Sequence, residues 1–178
     1  SKMFSSGNLT ELQSEQTAGL LCVSNNIVRI AERCDEIDKS YENLKSKGYK
    51  LSNEAINEVK ECMELSGKLF EEAIEAVATG DDKVIDKMTR DKNKIRKKNR
   101  QCSKAHFGRV KNKKCSKAMS GDYTEILQNI GRITDNCVGI AEEAMDNVKF
   151  MTLNAEEMEQ YGNVIDFSQA KQVEGTEV

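Results

Sequence analysis

The sequence predicts an all-α fold, an antiparallel bundle of long helices. Three observations carry this prediction: the 178 residues include no proline, apolar residues recur at helical spacing, and glycine or capping residues separate the apolar stretches. Hydrophobic residues make up 38% of the chain and charged residues 32%, which is typical of helices with a narrow apolar stripe. Four such helices with short connections form an antiparallel bundle by default.

The first predicted helix begins near Leu9 and ends at Gly48, after a polar segment, residues 1–8. Its apolar residues follow each other in alternating steps of three and four, the spacing of a bundle or coiled-coil seam. We therefore expect one seam to hold Leu20, Val23, Ile27, Ile30, Cys34, Ile37, Tyr41 and Leu44.

Capping residues set the limits of the next helices. Ser52 is a good N-cap for the second helix, and Thr79-Gly80 predicts its end. Asp81 or Asp82 then caps a third helix, with Val84, Met88, Ile95, Cys102 and either His106 or Val110 facing inward.

The fourth helix follows a loop at residues 112–116. It carries an apolar stripe at heptad-like spacing, namely Tyr123, Ile126, Ile130, Ile133, Cys137, Ile140, Ala144, Val148 and Met151. We expect residues 1–160 to form the helical domain and residues 161–178 to form a polar tail, because the tail has little apolar surface to bury.

The charge of the chain is unevenly distributed. Residues 81–117 hold fifteen Lys or Arg and four Asp, whereas the whole chain has a net charge of −3. We expect this basic stretch to be solvated and partly paired with acidic neighbouring helices. Nucleic acid is not expected as a partner, because Phe107 is the only aromatic residue there and offers no stacking platform. The six cysteines form no CxxC motif, so reduced thiols in a cytosolic protein are expected.

Two segments of the chain echo each other. Residues 26–34 read NIVRIAERC and residues 129–137 read NIGRITDNC, so both fit Asn-Ile-x-Arg-Ile-x-acid-x-Cys at an offset of 103 residues. Such an echo predicts two related helical units within the chain.

The chain resembles the PhoU-type domain of phosphate-uptake regulators and of bacterial sodium/phosphate cotransporters. The similarity rests on NIGRITDNCVGIAE at 129–142, on Thr79-Gly80-Asp81, on HFGRVKNKKC at 106–115, and on the lead-in around residues 20–25. The resemblance implies two pseudo-repeats, six helices in a full domain, and a motif on the second helix of each repeat. In that frame residue 1 falls near the end of a first helix, and the chain is either a truncated form with about four or five helices or an atypical member.

The family uses acidic motifs to bind iron, zinc or similar cations. Carboxylates four residues apart share one helix face and offer oxygen ligands to such ions. Here Val28 and Gly131 replace one acid of each motif, so the candidate metal ligands are Glu32, Asp135, Asn26 and Asn129, holding one divalent or ferric cation. The alternative is that Glu32 and Asp135 form ion pairs with Arg29, Arg132 or Arg33.

Arg29 and Arg132 occupy the same position of the echoed motif. We expect them to be structural residues that brace the two repeats by binding carboxylates across the interface, which suits the planar guanidinium group. His106 is the only histidine, and no nucleophile or acid lies at catalytic spacing from it. No catalytic residues are therefore predicted.

The resemblance implies a non-enzymatic, cytosolic regulatory domain associated with phosphate transport, at the inner face of the membrane as part of a transporter. Its expected partner is the membrane transport domain of the same or a neighbouring polypeptide, with a homodimer as a second possibility. Two alternative functions are a metal-binding helical bundle, and a structural bundle whose basic helix faces nucleic acid or a membrane.

Overall fold

The computed structural model describes residues 11–147. They form four helices: α1 (Glu11–Ser46), α2 (Asn53–Thr79), α3 (Lys83–Lys111) and α4 (Ser120–Asn147). A short 3-10 turn, Lys117–Met119, leads directly into α4, and this part of the chain contains no strand. The prediction of an all-α fold is confirmed. The predictions for residues 1–8, Leu9, Val148, Met151 and the tail beyond residue 160 lie outside the described residues.

Caps at the predicted positions end the first two helices and begin the second. The Ser52 side chain accepts a hydrogen bond from the backbone N–H of Ala55 at 3.2 Å, so Ser52 is the N-cap of α2. Gly48 and Gly80 take the left-handed backbone conformation that ends α1 and α2, with φ angles of 77° and 66°. At the start of α3 the side-chain acceptor is Asp81, whose Oδ1 receives the backbone N–H of Lys83 at 3.0 Å.

The end of α3 departs from the usual pattern. The left-handed position after this helix is occupied by Lys113, with φ of 57°, where glycine is the ordinary choice. The backbone N–H of Lys114 donates to the carbonyl of Arg109 at 2.8 Å and closes a Schellman-type turn. This turn reverses the chain and brings residues 115–119 back against the last turns of α3.

The core lies between α2, α3 and α4. α4 packs against each of the other helices, and α2 and α3 also pack on each other. The predicted inward residues of α3 are confirmed, because four of its side chains are buried: Met88, Ile95, Cys102 and His106. The buried stripe of α4 contains the predicted Tyr123, Ile126, Ile130, Ile133, Cys137, Ile140 and Ala144.

α1 packs mainly along α4, with one side only. Of the predicted seam, Val23 and Leu44 are buried against α4. Three other side chains of the seam are exposed, namely Leu20, Ile27 and Tyr41. The expectation that all eight seam positions face the bundle is therefore wrong. The heptad spacing correctly marks two apolar edges of α1, but among the described residues only one edge has a neighbouring helix.

None of the helices within residues 11–147 combines the length and apolar character that crossing a membrane requires.

Candidate functional site

The two echoed motifs face each other across the interface between α1 and α4. Asn26 lies over Gly139, and the Asn43 amide donates to Asp122 Oδ1 at 2.7 Å. Residue numbers rise along α1 as they fall along α4, so the two helices are antiparallel. In this register residue 31 lies level with residue 134, its own counterpart in the echo. The two helices are thus related by a local two-fold axis through the centre of both motifs.

The two motif asparagines behave alike. The side-chain amide of Asn26 donates to the Cys22 carbonyl at 3.1 Å, and that of Asn129 donates to the Glu125 carbonyl at 3.1 Å. Both bonds therefore run to the residue four positions earlier on the same helix. Asn129 is buried and Asn26 is half-buried, so both asparagines are interface residues whose amides already have backbone partners.

The two motif acids have different surroundings. Asp135 Oδ1 accepts a hydrogen bond from Arg96 Nη2 at 2.9 Å and forms an ion pair with Lys92 Nζ at 3.0 Å, both on α3. Its partners are thus not the arginines of the motifs. Glu32 is exposed and has no ion pair with the described residues. Cations of α3 already neutralise Asp135, and the binding of one cation by these four residues stays a prediction.

Neither motif arginine forms an ion pair across the α1–α4 interface within the described residues. Arg132 donates to Asn129 Oδ1 at 3.2 Å and pairs with Glu125 at 3.4 Å, both on its own helix. Arg29 is exposed and makes no ion pair within the described part of the chain. The reason is geometric. Each motif arginine is about one residue away from the buried edge of its helix, so its side chain lies at the rim of the α1–α4 interface.

The basic helix α3 is paired with its acidic neighbour α2, as predicted. Lys87 binds Glu72 and Lys98 binds Glu61, both across the α2–α3 interface. Such partly exposed pairs each contribute about 0–1 kcal/mol, so they orient α3 more than they stabilise it. They also consume cationic groups that a nucleic acid would otherwise need.

A polar network at one end of the core joins three helices. Glu58 of α2 accepts two hydrogen bonds from the Arg109 guanidinium of α3, at 2.9 and 2.8 Å, and one from the Tyr123 hydroxyl of α4 at 2.5 Å. Burial acts to raise the pKa of Glu58, but these hydrogen bonds outweigh it and hold the pKa below its usual range. No local sequence pattern marks this network, because its members lie on three separate helices.

A cavity of about 280 Å³ lies beside this network. Its walls include the buried His106, together with Arg109, Lys114, Cys115 and Met119. His106 Nε2 lies 2.9 Å from Ser120 Oγ, and its ring stacks on Tyr123 with the ring centroids 4.6 Å apart. His106 is thus a core residue with a polar partner, near the end of α3.

A second depression lies between α3 and α4, with a volume of about 460 Å³. Arg96 and Arg100 form its rim, and Gly131 and Leu127 form part of its floor. The Asn99 amide donates to the Leu127 carbonyl at 2.9 Å, while its buried Oδ1 has no hydrogen-bond partner. Across residues 11–147, no three side chains of His, Cys, Asp or Glu converge as a metal site would require.

A family model described as "PhoU domain" matches residues 59–144. The chain contains a PhoU-like domain. No curated protein and no solved structure matches the chain significantly. The match begins inside α2 and ends inside α4, so it covers the three helices that share the core.

The matched span contains only the second of the two echoed motifs. The second motif lies on α4, within the matched residues. α1, with the first motif, precedes the matched residues. The PhoU-like match suggests a regulatory role related to phosphate transport.

Proposed function

We propose that this chain is the regulatory domain of a phosphate transporter of the sodium/phosphate cotransporter type. In this proposal it lies on the cytosolic side of the membrane and docks against the transport domain of the same or a neighbouring polypeptide. Docking shifts the state of the transporter with the availability of phosphate. The PhoU-like domain supports the regulatory role, and the exposed apolar face of α1 is the observation that carries the docking.

The apolar face of α1, defined by Leu20, Leu21, Ile27 and Val28, is exposed along the described chain. The local two-fold axis supports a choice of partner for this face. Positions 20, 27, 34 and 41 correspond in the echo to Tyr123, Ile130, Cys137 and Ala144, which are all buried in α4. α2 and α3 supply the cover for α4, and by the same geometry a pair of helices would cover the apolar face of α1.

The charges on α1 indicate the chemistry of that helix pair. Glu32 has the position on α1 that Asp135 has on α4, and Asp135 is bound by two cations of α3. Asp35, Asp38 and Glu42 continue the exposed surface toward the end of α1. The partner therefore presents an apolar helix surface against residues 20–28 and Lys or Arg side chains against the acidic end. We assign this partner to the transport polypeptide, because large exposed apolar faces mark interaction sites.

Reconstitution with the transport domain tests the proposal. The transport domain encoded with this chain is purified in nanodiscs and mixed with the chain, with and without millimolar phosphate. We expect co-elution in gel filtration and a phosphate-dependent change in the amount bound. Phosphate uptake by vesicles that carry the transport domain should also change when the chain is added. Absence of an interaction under every phosphate condition would contradict the proposal.

The alternative occupant, a second copy of the chain, is distinguished by the same material. A homodimer through the apolar face would have twice the chain mass in sedimentation analysis without any transport polypeptide. If the chain alone forms such a dimer and the transport domain fails to displace it, the docking part of the proposal is wrong.

A further inference from the structure

Two donor atoms lie close to the Cys115 thiol at the cavity beside the end of α3. The Sγ atom of Cys115 lies 3.9 Å from His106 Nδ1 and 3.6 Å from the Met119 Sδ atom. Metal bonds to sulfur and imidazole nitrogen are about 2.0–2.3 Å long, so donors that share a trigonal ion lie roughly 3.5–4 Å apart. Both separations from Cys115 Sγ fall within that interval. We call His106, Cys115 and Met119 the soft-donor cluster.

The fold prepares the histidine for this geometry. Nε2 of His106 lies 2.9 Å from Ser120 Oγ, so an N–H on Nε2 can donate to the hydroxyl and leave the lone pair of Nδ1 toward Cys115. Stacking on Tyr123 fixes the plane of the ring. Burial, with a smaller contribution from the charge of Arg109, lowers the pKa of His106, which favours the neutral imidazole that binds metals.

The backbone turn after α3 brings the two sulfur atoms to the histidine. Lys113 takes the left-handed conformation at this turn, and Cys115 and Met119 then lie on the returning segment. Met119 is 4% exposed and His106 is 1% exposed, whereas Cys115 is half-exposed at the cavity wall. An ion can therefore approach Cys115 through the cavity while the other two donors are already held in place.

Donor type and charge select the ion. Thiolate and thioether ligands favour Cu(I), whereas a thioether is a poor ligand for the harder divalent cations. Arg109 and Lys114 make the cavity wall basic, and Arg109 is already paired with Glu58. A monovalent ion bound to one thiolate adds no net charge to these surroundings, but a divalent ion would leave an additional positive charge there.

We propose that the soft-donor cluster is a trigonal binding site for a soft monovalent cation, Cu(I). Binding replaces the Cys115 thiol proton: the S–H bond breaks, the proton goes to solvent, and a sulfur–copper bond forms. His106 Nδ1 and Met119 Sδ complete the coordination. No electron is transferred, and the net charge of the cluster does not change.

Competition with a chromophoric Cu(I) chelator, bathocuproine disulfonate, under anaerobic reducing conditions tests the proposal. The full chain is first altered to Cys22→Ser/Cys34→Ser, because these two thiols are exposed and would bind Cu(I) on their own. The Sγ atoms of Cys62 and Cys102 lie 3.9 Å apart, so the background also carries Cys102→Ala, which removes this second pair of thiols. We expect this background protein to retain one Cu(I) per chain.

Two further variants assign the ligands. Cys115→Ser should weaken Cu(I) binding by about 100-fold or more, and Met119→Leu, which conserves volume, should weaken it about 10-fold. X-ray absorption at the copper edge should show one nitrogen and two sulfur neighbours in the background protein. Failure of the background protein to retain Cu(I), or equal binding by the Cys115→Ser variant, overturns the proposal.

Discussion

At the scale of single residues, Glu58 holds three helices in register. Its carboxylate accepts a bidentate pair of hydrogen bonds from Arg109 and one from the Tyr123 hydroxyl. Hydrogen bonds to charged groups contribute about 1.5–3 kcal/mol, more than the surface ion pairs of α3. Burial, and then the hydrogen bond to Glu58, raises the pKa of Tyr123, so the phenol stays a donor throughout the physiological range.

Replacing this carboxylate should destabilise the fold in a pH-dependent way. Glu58→Gln should lower the free energy of unfolding at pH 7 by about 2 kcal/mol, because the charge-assisted bonds to Arg109 are lost. The folded-state pKa of Glu58 is depressed, so its stabilisation is present above the unfolded pKa of about 4.3 and is lost as the pH falls through the folded-state value. Urea unfolding between pH 3 and 7 measures both effects.

Glu71→Gln is the matched control for this prediction, since Glu71 is an exposed carboxylate on the same helix. It should change the free energy of unfolding by less than about 0.5 kcal/mol and leave the acid dependence as in the parent chain. Equal stability of the two variants at every pH would show that the Glu58 network contributes nothing.

At the scale of elements, α1 and α4 carry the same echoed motif but have different neighbouring helices. Ile27 on α1 and Ile130 on α4 occupy the same motif position, yet Ile27 is 38% exposed and Ile130 is 0% exposed. The difference arises from what packs on each helix, because α4 is covered by α2 and α3 while α1 is flanked mainly by α4.

The two isoleucines should therefore respond differently to the same change. Ile130→Ala should cost about 2–5 kcal/mol of unfolding free energy, as expected for a fully buried side chain, whereas Ile27→Ala should cost less than about 1 kcal/mol. Denaturant unfolding of the two variants measures this directly. A cost for Ile27→Ala as large as that for Ile130→Ala would mean that the apolar face of α1 is covered within the chain itself.

Local sequence chemistry predicted the elements well. Ser52, Gly48 and Gly80 act through contacts within a few residues, so their capping roles follow from residue type. The covered edge of α1 was not predictable, because heptad spacing marks apolar positions without naming the helix that covers them. The rim position of Arg29 and Arg132 was not predictable for the same reason, because the helix that packs against α1 or α4 decides which side of it is buried.

The functional clusters were harder to predict than the helices. His106 and Cys115 were noted in the sequence as part of a family-like segment, but Met119 was not. Their convergence depends on the reversal at Lys113, where a lysine takes a conformation that usually signals glycine. The Glu58 network likewise joins side chains 51 and 65 residues apart in the chain, with no local pattern to mark them.

At the scale of the whole molecule, a PhoU-like domain of three helices carries a fourth helix whose outer face is apolar at one end and acidic at the other. The local two-fold axis between α1 and α4 relates this face of α1 to the face of α4 that α2 and α3 cover. The account therefore depends on the apolar face of α1 being the surface that binds the transport domain.

The affinity of the transport domain for two matched variants tests that claim most directly. Ile27 on α1 and Ile74 on α2 are exposed to nearly the same extent, 38% and 39%, so a glutamate should be tolerated in the free chain at either position. Ile27→Glu should weaken binding to the transport domain by about 100-fold, because an unpaired carboxylate would be buried on docking. Ile74→Glu should leave the affinity unchanged within about twofold. Equal affinity of the two variants, or a loss confined to Ile74→Glu, would contradict the account.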